Sequence, residues 1–392
     1  MLTHSYYEED PRVRREAEAL VAAGFEVDVY ALRRQDDSAE AVVDGVRVRH
    51  LDVQRHQGAR LATYLREYLA FLVRAGWVLA RAHRRRRYGL VQVHTLPDFL
   101  VFAALPLRLL RVPVVLDMHE AMPEFFRSRF PRASNPLVRR ALLLQERLSI
   151  AIASHVLTVN PALADRLMAV GVRAGSVSVV RNSPSLARFD PAAHAARAFA
   201  SDGVVRLAYA GAVTPTYELD VALRAIARAA AARPDLRLVF DVYGRGDSQA
   251  SLEALAAELG LASAVVFHGR IPIEAVPAAI AGCDIGLAPT RRDPFTDISL
   301  STKIFEYGAM GKPAVCSRLP MVERTFGPGT VWTYAPGDPD ELAGAILTVV
   351  DDAPARRAAV ARTSAVVAET AWEHESRAYV ALVERLIAGS RG

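Results

Sequence analysis

A chain of 392 residues, 52% of them hydrophobic, is too long for one ordinary core and rich enough in apolar residues for two. No run approaches the ~20 apolar residues of a membrane span, and no basic segment followed by an apolar one opens the chain, so a soluble, unsecreted, cytoplasmic protein is expected. Cys283 and Cys316 stand far apart with no histidine cluster beside them, a pattern that points to neither a zinc site nor a disulfide framework. The net charge of +5 conceals an asymmetry: residues 1–190 carry 28 Lys+Arg against 20 Asp+Glu, whereas residues 191–392 carry 20 against 23.

Met1-Leu-Thr-His-Ser5 reads as the end of a first strand, a shortened start to a sheet, the alternative being a start upstream. A loop then leads to a helix over 13–24 closed by glycine, and to a strand over 25–32. Residues 42–53 supply strand material around Asp44-Gly45, and a long helix is predicted over 61–86. A buried strand over 89–94 meets Thr95-Leu-Pro-Asp98, an apolar helix is predicted over 99–110, and a strand with its exit loop over 112–120. A helix over 136–153 and strands over 155–160 and 177–182, with a helix between them, complete the first unit. The segment 183–203, rich in Pro and Ala, reads as a linker. Strands at 204–211, 236–243, 265–268, 285–288 and 314–316 build a second alternating unit, and helices over 342–350 and 372–388 close the chain. Strands alternating with helices predict parallel, doubly wound sheets, whose ligands meet the carboxyl ends of the strands. His94, His119 and Glu120 stand at such ends.

The stretch from Asp297 to Cys316 holds the densest functional signal. Ser301 or Thr302 can cap a short helix whose free N–H groups and dipole favour phosphate. Lys303 lies in its first turn and Glu306 three residues on, so an ammonium suited to phosphate and a carboxylate suited to hydroxyls share roughly one face. Lys303 and Lys312 are the only lysines in a chain that otherwise uses Arg, which suggests a site wanting a compact point charge, or two lysines together by chance.

Other clusters carry two readings each. Asp117, His119, Glu120 and Glu124 put three carboxylates and an imidazole into eight residues, either a site or an exposed loop. Gly244-Arg-Gly-Asp-Ser resembles the start of a dinucleotide fingerprint, but the third glycine is missing and a tight strand-to-helix turn explains it better. Gly211 ends a strand where backbone could approach a phosphate, and Arg270 could reach phosphate or base. Arg84, Arg85, Arg86 and Arg87 end an aromatic helix bearing Tyr64, Tyr68, Phe71 and Trp77, which reads either as a peripheral contact with an anionic membrane or as a solvated helix end. No nucleic-acid module accompanies the run, and no such partner is expected.

With these residues quoted, the chain resembles the retaining GT-B glycosyltransferases of family 4, bacterial enzymes of polysaccharide and glycoconjugate synthesis. The likeness covers nearly the whole length: Asp10-Pro-Arg-Val-Arg-Arg-Glu-Ala17, Asp117-Met-His-Glu120, Val180-Arg-Asn-Ser183, Gly269-Arg-Ile-Pro272, Cys283-Asp-Ile-Gly-Leu-Ala-Pro289, Thr302 to Pro313, and Trp372-Glu373. The resemblance implies two facing Rossmann-like domains with a cleft between them: an acceptor-side domain over 1–185, completed by a C-terminal helix over 372–392, and a donor domain over 186–371. It implies that a nucleotide-diphosphate sugar is the donor substrate, with no cofactor and no metal, and that the acceptor is a glycan, a lipid-linked or a small molecule. By the same resemblance Glu306 would bind the donor ribose and His119 would lie close to the transferred sugar. Lys303 and the amides around Ser301 would hold the diphosphate, with Gly211 against it and the backbone near Arg270 at the base. His4, Asp10 and Arg12, with Glu120, would be on the acceptor side.

Two departures stand out. The glutamate that the family often has eight positions before the one matching Glu306 is Ile298 here, with Asp297 as a displaced substitute; and residues 211–220 lack the usual basic pair. They keep two rivals in view, a non-catalytic partner subunit and a nucleotide-sugar epimerase of the same fold.

Overall fold

The computed structural model describes residues 1–53, 61–130, 133–195 and 197–390. They form two compact units, Met1–Asn182 with Glu375–Gly392, and Ser183–His374.

In the first unit, Asp10 caps α1 (Pro11–Ala22) by accepting from the Val13 N–H, and Pro11 sits in the first turn, where a missing N–H costs nothing. The strands are β1 (Asp28–Leu32), β2 (Glu40–Val43) and β3 (Val46–Leu51); β2 and β3 form an antiparallel hairpin turning at Asp44 and Gly45. After α2 (Leu61–Arg86) come β4 (Val91–His94), a 3-10 helix (Asp98–Ala104), α3 (Leu105–Leu109), β5 (Val114–Met118), α4 (Met122–Arg129), α5 (Pro136–Ile152), β6 (His155–Thr158), α6 (Pro161–Ala169) and β7 (Val177–Val179). Met1–Ser5 is the missing piece of the sheet. Leu2 bridges in parallel to Tyr30 on one side and Val93 on the other, so the order runs β2, β3, β1, Leu2, β4, β5, β6, β7. The helix expected over 99–110 is split: an α-helical Pro106 would drive its ring into the carbonyl of Phe102, and the chain stays 3-10 through Ala104.

The second unit is a six-stranded parallel sheet in the order β10-β9-β8-β11-β12-β13. Its elements are β8 (Val204–Ala210), α7 (Leu219–Ala232), β9 (Arg237–Tyr243), α8 (Gln249–Glu258), β10 (Val265–Gly269), α9 (Val276–Ala281), β11 (Ile285–Ala288), α10 (Thr302–Ala309), β12 (Ala314–Ser317), α11 (Pro320–Thr325), β13 (Trp332–Tyr334), α12 (Pro339–Asp351) and α13 (Ala353–Glu369). Alternation along the strands sends Leu207, Tyr209 and Phe240 to one core and Ala208, Ala288 and Cys316 to the other. α11, β13 and α13 have no counterpart in the sequence pattern. α11 and β13 are six and three residues long, and α13 buries only Ala359, Thr363 and Val367, one small, one polar and one branched residue at i, i+4 and i+8, which make no visible apolar stripe. Finally α14 (Trp372–Gly389) returns the chain to the first unit.

Candidate functional site

In the second unit the loops at the strand carboxyl ends build one polar cluster. Gly211 follows β8, and the Lys303 side chain lies across it; a Cβ there would fall 2.4 Å from Lys303 Cε, so any larger residue would have to displace the lysine tip from this place. The Lys303 ammonium stands 4.1 Å from the Tyr217 ring centroid and 5.0 Å from that of Tyr209, a cation over two aromatic faces. The Tyr209 hydroxyl donates to the Ala212 carbonyl at 2.6 Å and pins the loop. Neither tyrosine is visible as a site residue in the sequence, because the pattern shows aromatic residues and not what they face.

Ser301 occupies the N-cap of α10 in an extended conformation but makes no side-chain cap bond. Its buried Oγ finds no hydrogen-bond partner among the described residues, next to the open N–H groups of the helix. Half-buried Glu306 lies one turn on. α10 is held by Tyr307, whose hydroxyl lies 3.1 Å from the Ala208 carbonyl and 3.0 Å from that of Leu287; Gly286 leaves the room, since a Cβ would meet the ring at 2.3 Å. Lys312 serves the scaffold instead. Its ammonium donates to the carbonyls of Ala281 (2.8 Å) and Cys283 (2.7 Å), which ties the end of α9 to the start of β11.

Gly244 and Gly246 serve close packing. A Cβ on Gly244 would fall 1.7 Å from the Gly211 carbonyl oxygen, and one on Gly246 1.9 Å from that of Val213, so the loops after β8 and β9 meet backbone to backbone. Asp297 lies in a 3-10 turn and is paired with Arg292 at 3.0 Å. Arg270 is exposed just past β10. Arg291, exposed beside the cation-poor 211–220 loop, donates its backbone N–H to the Thr216 carbonyl at 2.9 Å, which sequence spacing did not reveal.

The first unit carries a second cluster at its strand ends. The buried Asp117 Oδ2 accepts from His94 Nδ1 (2.9 Å), His119 Nε2 (3.0 Å) and Arg12 Nε (2.8 Å), while Oδ1 accepts from Arg12 Nη2 (2.7 Å). Since the carboxylate only accepts, His119 Nε2 carries the proton and Nδ1 is the ring nitrogen left uncommitted to Asp117. Thr95 Oγ1 accepts from the His119 backbone N–H at 3.1 Å. Burial opposes charge on every member, but Arg12 and the two imidazoles outweigh it at Asp117, whose carboxyl is held well below its ordinary range. At His119, burial likewise opposes protonation but the Asp117 carboxylate prevails and raises the imidazole, whereas burial lowers His94. Burial also pushes Glu120 up to about 7, against the opposing pull of His119. The same His94, Asp117 and His119 atoms converge closely enough to meet a cation. The chain already supplies that positive charge through the Arg12 fork.

Arg12, expected on the acceptor side, is committed to partners within the first unit. It is 3% exposed, and its guanidinium is spent on Asp117, Glu16, the Val180 carbonyl and Asn182. His4 is 7% exposed, its ring edge-on to Tyr68 and Phe71 at 4.6 and 5.1 Å. Asp10 caps α1 and accepts from Ser5 Oγ at 2.8 Å.

A glycosyl transferase 4-like domain model matches residues 10–183, and a glycosyl transferases group 1 model matches residues 205–352. The chain belongs to the family 4-like glycosyltransferases. Among its relatives, the transferase is 27% identical to the D-inositol 3-phosphate glycosyltransferase of Streptomyces avermitilis, over 90% of this chain and 77% of that one. It is 26% identical to the 2-deoxystreptamine glucosyltransferase of Streptomyces kanamyceticus, over 72% and 73%. In fold it is similar to the sucrose-phosphate synthase of Thermosynechococcus elongatus, with a TM-score of 0.76 and 19% identity over 96% of this chain and 93% of that one. It is similar too to Anabaena HepE solved with UDP-glucose, with a TM-score of 0.68 and 15% identity over 99% and 97%. The fold of this glycosyltransferase is thus GT-B, with two Rossmann-like units.

Proposed function

We propose that this glycosyltransferase moves a sugar from a nucleoside-diphosphate sugar to a glycan, lipid-linked or small-molecule acceptor, with retention of anomeric configuration and without a resident metal. The observation that carries the donor half is the Lys303 ammonium laid over Gly211 beside the unpartnered Ser301 Oγ at the start of α10. A helix N-terminus and one compact cation, water largely excluded, stabilise the charge that builds on a departing diphosphate. Glu306, one turn on, suits ribose hydroxyls, and His119 is the group we assign to the transferred sugar. Retention without a protein nucleophile means attack from the leaving-group face, the diphosphate taking the proton. The UDP-glucose held by a neighbour of the same fold is in keeping with such a donor. Ile298, together with a 211–220 loop without cations, favours one second reading, a non-catalytic partner subunit.

Lys303→Ala should lower affinity for nucleoside diphosphates about ten- to hundredfold, the worth of one charged hydrogen bond, and leave affinity for the bare nucleoside nearly unchanged. Calorimetric titration of both ligands decides. Equal losses would mean that the helix itself is disrupted, and binding of neither ligand by the unmodified protein would favour the non-catalytic reading.

We also place the protein in the cytoplasm, at the inner face of the cell membrane. Among the described residues no helix is long and apolar enough to cross a membrane. On α2, Leu65, Leu69, Val73 and Trp77 are exposed at four-residue spacing, with Arg66, Arg74 and Arg81 exposed alongside. Leu109 on α3 and Leu144 on α5 add exposed apolar surface, and both helices pack with the 3-10 helix against which α2 lies. Leucines flanked by arginines suit an anionic bilayer surface. Of the four arginines at the end of α2, Arg86 is engaged by Glu26 (3.3 Å) and Asp28 (3.6 Å), which leaves Arg84, Arg85 and Arg87 for lipid headgroups. Changing these three to Gln should release the protein from vesicles containing phosphatidylserine, because each cation near such a surface contributes about 1 kcal/mol. Cosedimentation at low salt tests this; absence of the unmodified protein from the vesicle pellet would end the idea.

A further inference from the structure

Every bond the Arg12 guanidinium makes lies inside the first unit, and they point in three directions. Toward β5, Nε and Nη2 grip both oxygens of Asp117 at 2.8 and 2.7 Å. Toward its own helix, Nη2 meets Glu16 at 3.1 Å. Toward the segment after β7, Nη1 donates to the Val180 carbonyl at 2.8 Å and to Asn182 Oδ1 at 3.0 Å, the last residues before the chain leaves the unit. Glu16 accepts in turn from Gln92 Nε2 at 2.7 Å, and Gln92 Oε1 accepts from the Tyr379 hydroxyl at 2.6 Å. One continuous chain of polar contacts thus runs from α14 through β4 and α1 to the carboxylate that holds His119.

We propose that Arg12 is the positioning residue of the His119 site, fixing the orientation of Asp117, and through it the tautomer and placement of His119, against Val180 and Asn182. A planar fork with five donors can satisfy two carboxylate oxygens, a carbonyl and an amide at once; an ammonium at the same place cannot. A buried ion pair of this kind adds little net stability over apolar packing but specifies geometry, and geometry is what a proton-carrying imidazole at a reacting centre requires. The proposal rests on the assignment of His119 to the sugar, but its test needs no donor, so the two fail separately.

Arg12→Lys keeps the charge and removes the fork. The groups that face His119 are Asp117, His94, Arg12, Asp10, Glu16 and Glu120, and none of the other five changes in this variant. Titration of the full-length protein by histidine NMR should show His119 in the unmodified chain above its ordinary value of 6.5. In Arg12→Lys its midpoint should fall by about half a pH unit or more as Asp117 turns away, a loss of the order of the coupling between two hydrogen-bonded groups. An unchanged midpoint in a folded Arg12→Lys would overturn the proposal, because charge alone would then suffice. Asn182→Ala offers a milder variant should Arg12→Lys not fold. It removes an anchor of the guanidinium remote from Asp117 and should move the His119 midpoint in the same direction by a smaller amount; no movement would equally overturn it.

Discussion

Asp117→Ala is expected to destabilise the first unit by about 3–5 kcal/mol, the usual cost of leaving a buried charge without its partner. The carboxylate is fully buried and takes two bonds from Arg12, one from His94 and one from His119. Its removal strands a guanidinium that is itself 3% exposed, with only Glu16 as a countercharge. Removing Asp235 from its exposed contact with Arg233 should by contrast change stability little, since such pairs are screened by solvent. The loss at Asp117 has a defined pH dependence. A carboxyl held well below its ordinary 3.8 stabilises the folded state at all pH above that value and loses this contribution as pH falls through its depressed pKa. Urea unfolding of wild type and variant should therefore show a gap that narrows below about pH 4 as Asp117 protonates, and that also shrinks as pH rises through the raised His119 pKa, above which Asp117 no longer faces an imidazolium. A gap under about 1 kcal/mol at neutral pH, as for an exposed pair, would mean that Asp117 is not a buried, paired anion.

Gly244→Ala is expected to cost about 2–6 kcal/mol, the sum of an overpacked contact and a strained backbone. With φ at +153°, the residue lies where an L side chain is rarely found, and its Cβ would sit 1.7 Å from the Gly211 oxygen, where neither backbone can yield without moving the loop under Lys303. Gly260 separates the two causes. It also has a positive φ, +71°, but a Cβ there meets nothing within 4 Å, so Gly260→Ala should lose only the ~1 kcal/mol of backbone strain. Thermal unfolding of the two variants checks the difference, and equal losses would show that the loops after β8 and β9 do not approach so closely.

The alternating strands and helices were readable because apolar periodicity and glycine or proline punctuation mark them; α2 begins and ends where the pattern places it, at Leu61 and Arg86. α13 was not readable, since its buried face is Ala359, Thr363 and Val367 and its contacts come from the fold around it. Composition drew attention to Lys303 and Lys312 alike, yet one lies across Gly211 and the other clamps two carbonyls, a difference that only tertiary placement makes. The burial of Arg12 was unreadable for the same reason. Nothing local in the sequence reveals that a helix-start arginine will bury itself against a carboxylate 105 positions later. Gly244-Arg-Gly has the look of a phosphate loop because close backbone approach demands glycine whatever comes close, and here it is the loop after β8.

The central claim is a nucleoside-diphosphate donor held by α10 and the Gly211 loop, and calorimetric titration of nucleoside diphosphates into the unmodified protein and Glu306→Ala tests it most directly. Saturable binding of at least one diphosphate is predicted, weakened about ten- to hundredfold in Glu306→Ala, as the loss of a charged acceptor to the ribose requires, with the variant's thermal unfolding unchanged. Binding of equal strength by both proteins would contradict the assignment of Glu306, and binding of no nucleoside diphosphate by the unmodified protein would contradict the account as a whole.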